Sequence, residues 1–241
     1  MKIDFIIPVY NEQQLLEKNI LKLLSFLYSQ NYQFDWQIII AVNGSSDSSA
    51  EIAKEISSRQ EKIISLLIKD RGKGRAIKEA INQSLADYII YMDIDLAVSL
   101  DNINDLMFEI KNNYDLIIGS RRLPLSQRER SWIKDLSSSM YIFISKLILN
   151  HNFSDLQCGF KAIKKSSFNK ISEMVIDNNW FFDTEILIFS KRNNLKIKEI
   201  PVNWSENRYE KRKSKIKLLK DSFKFIGNLI KLKKRISKKS F

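Results

Sequence analysis

The sequence predicts an α/β fold, a mostly parallel sheet flanked by helices and followed by a basic amphipathic C-terminal helix. Three observations carry this expectation. Apolar runs of strand length alternate with helically spaced segments from residue 3 to residue 118, glycines sit where apolar runs end, and residues 207–241 hold the whole excess of positive charge.

The runs Ile3 to Val9, Gln37 to Val42, Lys62 to Ile68, Tyr88 to Met92 and Leu116 to Ile118 read as buried strands, because a strand covered on both faces is continuously apolar. Between them lie apolar residues at helical spacing. These are Leu15, Ile20, Leu23, Leu24 and Leu27; Ile52, Ala53 and Ile56; Ile77, Ala80 and Ile81; and Ile103, Leu106, Met107 and Ile110. A parallel sheet of this kind opens its ligand crevice at the carboxyl ends of its strands. Beyond Arg122 the alternation stops. A helix from Ser131 to Leu149, a short strand near Phe160 to Ile163, a helix from Phe182 to Arg192 and a strand from Ile197 to Val202 are expected. From Ile216 onward, Leu219, Phe223, Ile226 and Ile230 share one helical face, widened by Leu218, Phe225, Leu229 and Leu232. Lys213, Lys217, Lys220, Lys224 and Lys231 line the other side. The expected division is a body over residues 1–215, with halves 1–122 and 123–215, and a tail over 216–241.

At 241 residues and 44% hydrophobic, the chain is long enough for one full core. The single cysteine, Cys158, excludes an internal disulfide framework, and the opening residues lack the zones of a secretory signal, so a cytoplasmic protein is expected. The formal charge of +12 comes entirely from residues 207–241, where fourteen Lys and Arg face only Glu210 and Asp221. A neutral body with a cationic tail implies a polyanionic partner, lipid or nucleic acid. Aliphatic rather than aromatic residues interleave the cations, which favours an anionic membrane surface and argues against nucleic acid.

Asp93-Ile94-Asp95 directly follows the run Tyr88 to Met92. Two carboxylates at a strand end, where the turn can bring the second toward the crevice, suit Mg²⁺ or Mn²⁺, hard cations that pair one or two carboxylates with substrate phosphate oxygens. An aspartate nucleophile for phosphoryl transfer also follows an apolar strand. That chemistry places its motif near the start of the fold with Thr or Val two residues after the second Asp, where this chain has Ala97. Arg121, after the Gly119-Ser120 turn, offers a planar fork of donors for a phosphate, and Arg130 and Lys134 can add to it.

Pro8-Val9-Tyr10-Asn11-Glu12, Asn43-Gly44-Ser45-Ser46-Asp47, Asp93-Ile94-Asp95 and Gly119-Ser120-Arg121 together resemble the family 2 glycosyltransferases. Four more segments resemble, within that family, the dolichyl-phosphate glucosyltransferase branch, close to the polyprenyl-phosphate mannosyltransferases. They are Arg71 to Gly74, Asp155 to Lys161, Trp180 to Glu185 and Pro201 to Trp204. The likeness runs from Ile3 to about Lys215.

The resemblance implies a GT-A, Rossmann-like fold and a metal-dependent, inverting hexosyltransferase. Its donor is a nucleoside-diphosphate sugar, UDP-glucose before GDP-mannose, and its acceptor a polyprenyl phosphate of the dolichyl or undecaprenyl type. It places Pro8, Tyr10 and Glu12 along the base and ribose, with Asp47 and Lys73 completing the pocket. Asn43 stands with Val42 where members often carry two aspartates, and its amide can still meet a uracil edge. Asp95 is implied as the main metal ligand and Asp93 as a ligand of ribose or metal. Ala97 replaces a glutamine that helps hold the ion in the mannosyltransferase relatives.

An acceptor phosphate is mostly dianionic near neutral pH, since its second pKa is about 6. No strong general base is then needed, so His151, the lone histidine, is expected on a surface loop. Asp155, Gln157, Asp183 and Glu185 are expected to position sugar hydroxyls, acceptor or metal-bound water. Relatives often carry membrane-spanning segments. A peripheral position on the cytoplasmic face, with Met140, Ile142, Phe143, Leu147 and Ile148 as a second membrane contact or with a separate membrane protein as partner, follows for this chain. The alternatives are a soluble glycan or protein acceptor and, from another class, a nucleic-acid-binding protein that uses the tail.

Overall fold

A computed structural model describes residues 1–129, 132–205 and 218–238. Arg130, Lys213, Ile216 and Lys217 lie outside the described residues, as do the side chains of Lys134, Leu218, Leu219, Lys220, Phe223, Lys224 and Phe225. The first half runs β1 (Lys2–Val9), α1 (Leu16–Ser29), β2 (Asp35–Asn43), α2 (Ser49–Arg59), β3 (Ile63–Ile68), α3 (Lys73–Gln83), β4 (Tyr88–Met92), α4 (Asn102–Lys111) and β5 (Leu116–Ser120). The second half runs β6 (Gln127–Glu129), α5 (Trp132–Leu149), β7 (Phe160–Lys164), α6 (Lys165–Ile171), α7 (Phe182–Arg192), β8 (Ile197–Pro201), β9 (Asn203–Ser205) and α8 (Leu218–Lys238).

Seven strands form one sheet in the order β3-β2-β1-β4-β7-β5-β8, parallel except for β7, which is antiparallel to both neighbours. The mostly parallel sheet expected from the apolar runs is therefore present, with an inserted antiparallel strand that they did not reveal. The chain leaves β1 toward β2 and β3, then returns to β4 on the other side of β1. This reversal makes a switch point between β1 and β4, and the loops at their carboxyl ends part there to leave a crevice.

Alternate residues of each strand feed two cores, as the two-residue repeat of a pleated strand requires. Phe5, Ile7 and Val9 pack with Leu23 and Leu27 of α1 and Leu106 of α4. Ile6, Ile89 and Tyr91 pack on the opposite face with Ile77 of α3 and Phe182 of α7. Leu229, Leu232 and Ile236 of α8 belong to this second core, and α8 also packs along α5. The tail helix is thus docked on the body through these turns, while Ile230 faces outward. No helix among the described residues is long and apolar enough to cross a membrane.

The expectation for His151 is corrected. Its ring is buried, with Nε2 2.9 Å from Ser145 Oγ and Nδ1 accepting the Phe153 N–H at 3.2 Å. Burial, then Lys146 and Lys191, pulls its pKa from 6.5 down to about 4, so the folded chain holds it neutral. The unfolded chain takes up that proton first as pH falls, so stability present above pH 6.5 is lost between about 6.5 and 4. His151→Gln is expected to flatten the dependence of Tm on pH across that window. An unchanged slope would show that other groups set it.

Candidate functional site

The loops after β1 and β2 are laced together by short polar side chains. Asn11 N–H donates to Ser45 Oγ at 3.0 Å, Ser46 N–H to Asn11 Oδ1 at 2.8 Å, and Glu12 N–H to Ser49 Oγ at 2.9 Å. Asn11 has φ 51°, a left-handed conformation that asparagine tolerates better than most residues. Asp47, expected in the base pocket, clasps the two loops. Its oxygens accept the Gln13 N–H and the Ser49 N–H, both at 3.1 Å. Burial acts to raise its pKa, but the bonds from Ser49 and Gln13 outweigh it and the carboxyl sits below its ordinary value.

Asn43 is likewise occupied by the fold. Its amide donates to Val9 O at 2.7 Å and accepts the Gly72 N–H at 2.8 Å, tying β1 to the start of α3. Tyr10 carries the Arg71 guanidinium 4.2 Å above its ring, a contact that sequence reasoning did not assign although both residues lie in quoted motifs.

Beneath the crevice lies a buried chain of charges. Lys73 Nζ, at the first turn of α3, is 2.8 Å from Asp93 Oδ1 and 3.3 Å from Asp183 Oδ2. These contacts are ion pairs by distance without the alignment of hydrogen bonds. Asp183 Oδ1 accepts Lys161 Nζ at 2.6 Å and the Tyr91 hydroxyl at 3.0 Å, and Lys161 also donates to Cys158 O. Burial would raise the Asp183 pKa, yet Lys161 and Lys73 hold it below the usual range. Burial would lower that of Lys73, and Asp183 with Asp93 raises it. Asp183, expected near sugar hydroxyls, therefore anchors β4, β7, α3 and α7 to one another.

Asp93 is pinned from a second side. A Cβ built on Gly159 would fall 2.2 Å from Asp93 Oδ2, so the carboxylate fills space that only glycine leaves open. Asp95 Oδ1 accepts the Ala97 N–H at 3.3 Å. The turn that carries it is fixed by buried Asn19 of α1, which donates to Ile94 O at 2.8 Å and was not singled out in the sequence. Among the described residues no three His, Cys, Asp or Glu side chains converge as metal ligands. Among the described residues, a metal here would rest on Asp95, with Asp93.

Arg121 and Asp155, predicted separately, form a buried bidentate pair. Nε lies 2.7 Å from Oδ2 and Nη2 3.0 Å from Oδ1. Arg121 holds the Asp155 carboxyl well below its ordinary value against the opposing effect of burial. The pair uses two of the five guanidinium N–H groups. Gln157 donates its backbone N–H to Asp155 Oδ1 at 3.0 Å, and its side-chain amide makes no hydrogen bond among the described residues. The buried Cys158 thiol beside them is pushed up to about 12, chiefly by burial, and is therefore unreactive at neutral pH. Glu185 is elsewhere. It pairs with Arg235 of α8 and accepts the Asp177 N–H at 2.7 Å, so it holds helices rather than substrate. A cavity of about 420 Å³ opens on the α1 side of the Asp95 turn, between Phe26, Leu96, Leu100 and Trp204.

The profile described as Glycosyl transferase family 2 matches residues 4–172. The chain belongs to that family. It is 29% identical over 223 residues to the glycosyltransferase AglD of Haloferax volcanii, an alignment covering 92% of this chain and 35% of that protein. It thus spans about a third of that relative's length. It is 30% identical over 252 positions to a dolichyl-phosphate beta-glucosyltransferase of Dictyostelium discoideum, covering 96% and 77% of the two. Among solved structures of the same fold, glucosyl-3-phosphoglycerate synthase from Mycobacterium tuberculosis, in complex with Mn²⁺, UDP-glucose and phosphoglyceric acid, superposes with a TM-score of 0.69 at 14% identity. That superposition covers 97% of this chain and 80% of the other. Within family 2, then, the resemblance to the dolichyl-phosphate glucosyltransferases is sustained along nearly the whole chain.

Proposed function

We propose that this protein is an inverting hexosyltransferase that moves glucose from UDP-glucose to a polyprenyl phosphate. The observation that carries the reading is the position of Asp95, on the turn after β4 at the switch-point crevice, in a chain similar over nearly its full length to dolichyl-phosphate beta-glucosyltransferases. GDP-mannose is the second donor to test. In this reading residues 1–122 bind the nucleotide sugar and residues 123–215 the acceptor.

The donor set fits Mg²⁺ or Mn²⁺, because one or two carboxylates in an open crevice leave coordination sites for diphosphate oxygens and water. Asp95 with Asp93 would hold the ion, which supplies positive charge to the departing diphosphate. Lys73, fixed between Asp93 and Asp183, keeps Asp93 in place and adds positive charge beneath the site. Tyr10 and Arg71 offer the nucleotide a stacked face, beside Pro8 and Glu12. Arg121, aligned by Asp155, turns its remaining N–H groups to the acceptor phosphate, and the free amide of Gln157 meets sugar hydroxyls. A phosphate dianion attacking the anomeric carbon directly needs no protein base, and the attack inverts configuration there.

Purified protein with Mn²⁺ or Mg²⁺, a panel of labelled nucleotide sugars and a short polyprenyl phosphate tests this reading. Label from UDP-glucose is expected in the organic phase. Transfer only to a soluble glycan or protein would replace the acceptor assignment.

The exposed face of the second half supports a peripheral position on an anionic, cytoplasmic membrane surface. Met140, Phe143 and Leu147 lie on one side of α5 at 60%, 63% and 70% exposure, and Ile230 of α8 is also exposed. Lys231, Lys233, Lys234 and Lys238 of α8 are exposed as well. Replacing both Phe143 and Leu147 with serine is expected to cut co-sedimentation with phosphatidylserine vesicles by at least about tenfold, given the apolar area withdrawn from lipid. Undiminished sedimentation would rule this face out.

A further inference from the structure

Glu185 and the C-terminal helix are joined to the candidate nucleotide site by an unbroken series of contacts. Arg235 donates to Glu185 Oε1 and to Met174 O, and its guanidinium lies 5.4 Å from the centre of the Phe189 ring. Glu185 Oε2 accepts the Asp177 N–H at 2.7 Å. Asp177 Oδ1 in turn accepts the N–H groups of Asn179 at 2.7 Å and Phe182 at 3.1 Å, which folds residues 177–181 into a tight loop.

That loop covers the N-terminus of α3. Asn178 O accepts the Arg75 N–H at 3.0 Å and Asn179 O the Gly74 N–H at 3.2 Å. First-turn amides that could otherwise receive an anion are occupied by carbonyls of this chain. The fit is close. A Cβ at Gly72, where φ is +150°, would fall 2.2 Å from Asn178 O, and one at Gly74 would fall 2.6 Å from Phe182 Cβ. Between these two glycines Lys73 extends to Asp93 and Asp183, with Trp180 of the same loop 5.0 Å away.

We propose that Arg235 and Glu185 are positioning residues: through the 177–181 loop, the docked C-terminal helix sets Lys73 against Asp93 and so tunes uptake of a nucleoside diphosphate. The ligand class rests on the function proposed above. The physical basis is that a short loop bonded at both ends transmits displacement, whereas a loop open to solvent absorbs it. With Arg235 removed, Glu185 loses its cationic partner, and the loop is released from the α8 side while α3 still holds the other.

The test uses the full chain, with hydrogen exchange at the Gly74 and Arg75 amides as one readout and calorimetric binding of UDP with Mn²⁺ as the other. Arg235→Met keeps the apolar stem against Phe189 and removes the charge. It is expected to speed exchange at both amides and weaken UDP binding about 3- to 30-fold. Arg235→Lys is expected to restore most of both, and Ser237→Ala, at an exposed position of the same helix, to change neither. Exchange that quickens only in α8, with UDP affinity unaltered, overturns the proposal. Glu185→Gln, which keeps the acceptor for the Asp177 N–H, serves in place of Arg235→Met if that variant fails to fold, with smaller changes of the same sign expected. A wild-type chain that takes up no nucleoside diphosphate removes the functional reading, and the exchange readout alone then decides the positioning claim.

Discussion

Asp95→Asn is expected to lower kcat/KM for sugar transfer by about 10²–10³-fold, the range for losing one preorganised charge interaction in a transition state. The fold should hardly notice. Asparagine matches aspartate in size and shape, and its amide oxygen can still accept the Ala97 N–H that the carboxylate accepts at 3.3 Å. Thermal stability is therefore expected to stay near that of the unaltered chain. Calorimetry separates this from an indirect effect, since Mn²⁺ should strengthen UDP binding in the wild type and not in the variant. Chelation of divalent ions is expected to abolish transfer in the wild type. Equal Mn²⁺ enhancement in both proteins would remove Asp95 from the metal site.

Asp183→Ala is expected to be the most destabilising single change. It leaves Lys161, at 0% exposure, without its carboxylate and strips Lys73 of one of two anionic neighbours. Removing one partner of a buried pair costs about 3–5 kcal/mol, because the remaining charge stays in a medium that solvates it poorly. In a chain of this length that corresponds to a fall in Tm of about 6–20 °C. The double replacement Lys161→Met with Asp183→Leu is expected to recover part of the loss, since no unpaired charge remains at that pair. The Asp183 pKa is held below its ordinary 3.8, so the stabilisation from this ion pair is complete above that value and disappears as pH falls below it. A Tm change under 3 °C for the single variant would mean that water reaches Lys161.

The parallel strands were legible because burial on both faces leaves a one-dimensional mark, as in Tyr88 to Met92. Asp93 and Asp95 were legible for a related reason, since polar residues directly after such a run must lie at the edge of the sheet. β7 was harder. It carries Lys161, a residue type that normally signals solvent, and its burial depends on the distant Asp183 together with the Cys158 carbonyl. The strand was expected, but nothing local placed it in the middle of the sheet or reversed its direction. α6 was missed because seven residues are too few to display a helical repeat, and β6 and β9 because three-residue strands display none.

Site residues followed the same division. The motifs named residues, but not what each side chain is bonded to. Arg121 and Asp155 are 34 positions apart, and nothing in the chain between them announces a bidentate pair. Asp183 and Glu185 are two apart on α7, yet one faces the lysines under β4 and the other faces α8. Both are buried, and their partners depend on helices whose docking only tertiary contacts reveal.

The place of β7 bears on how the chain is made. β4 and β5 do not touch each other, and the strand that joins them is synthesised some forty residues after β5. While a ribosome is still completing α5, both strands present open edges to whatever else is nearby. Release of the first 122 residues as a fragment should therefore give a sticky, poorly cooperative product, and a chaperone would engage the nascent protein most productively in the interval before residue 164 emerges.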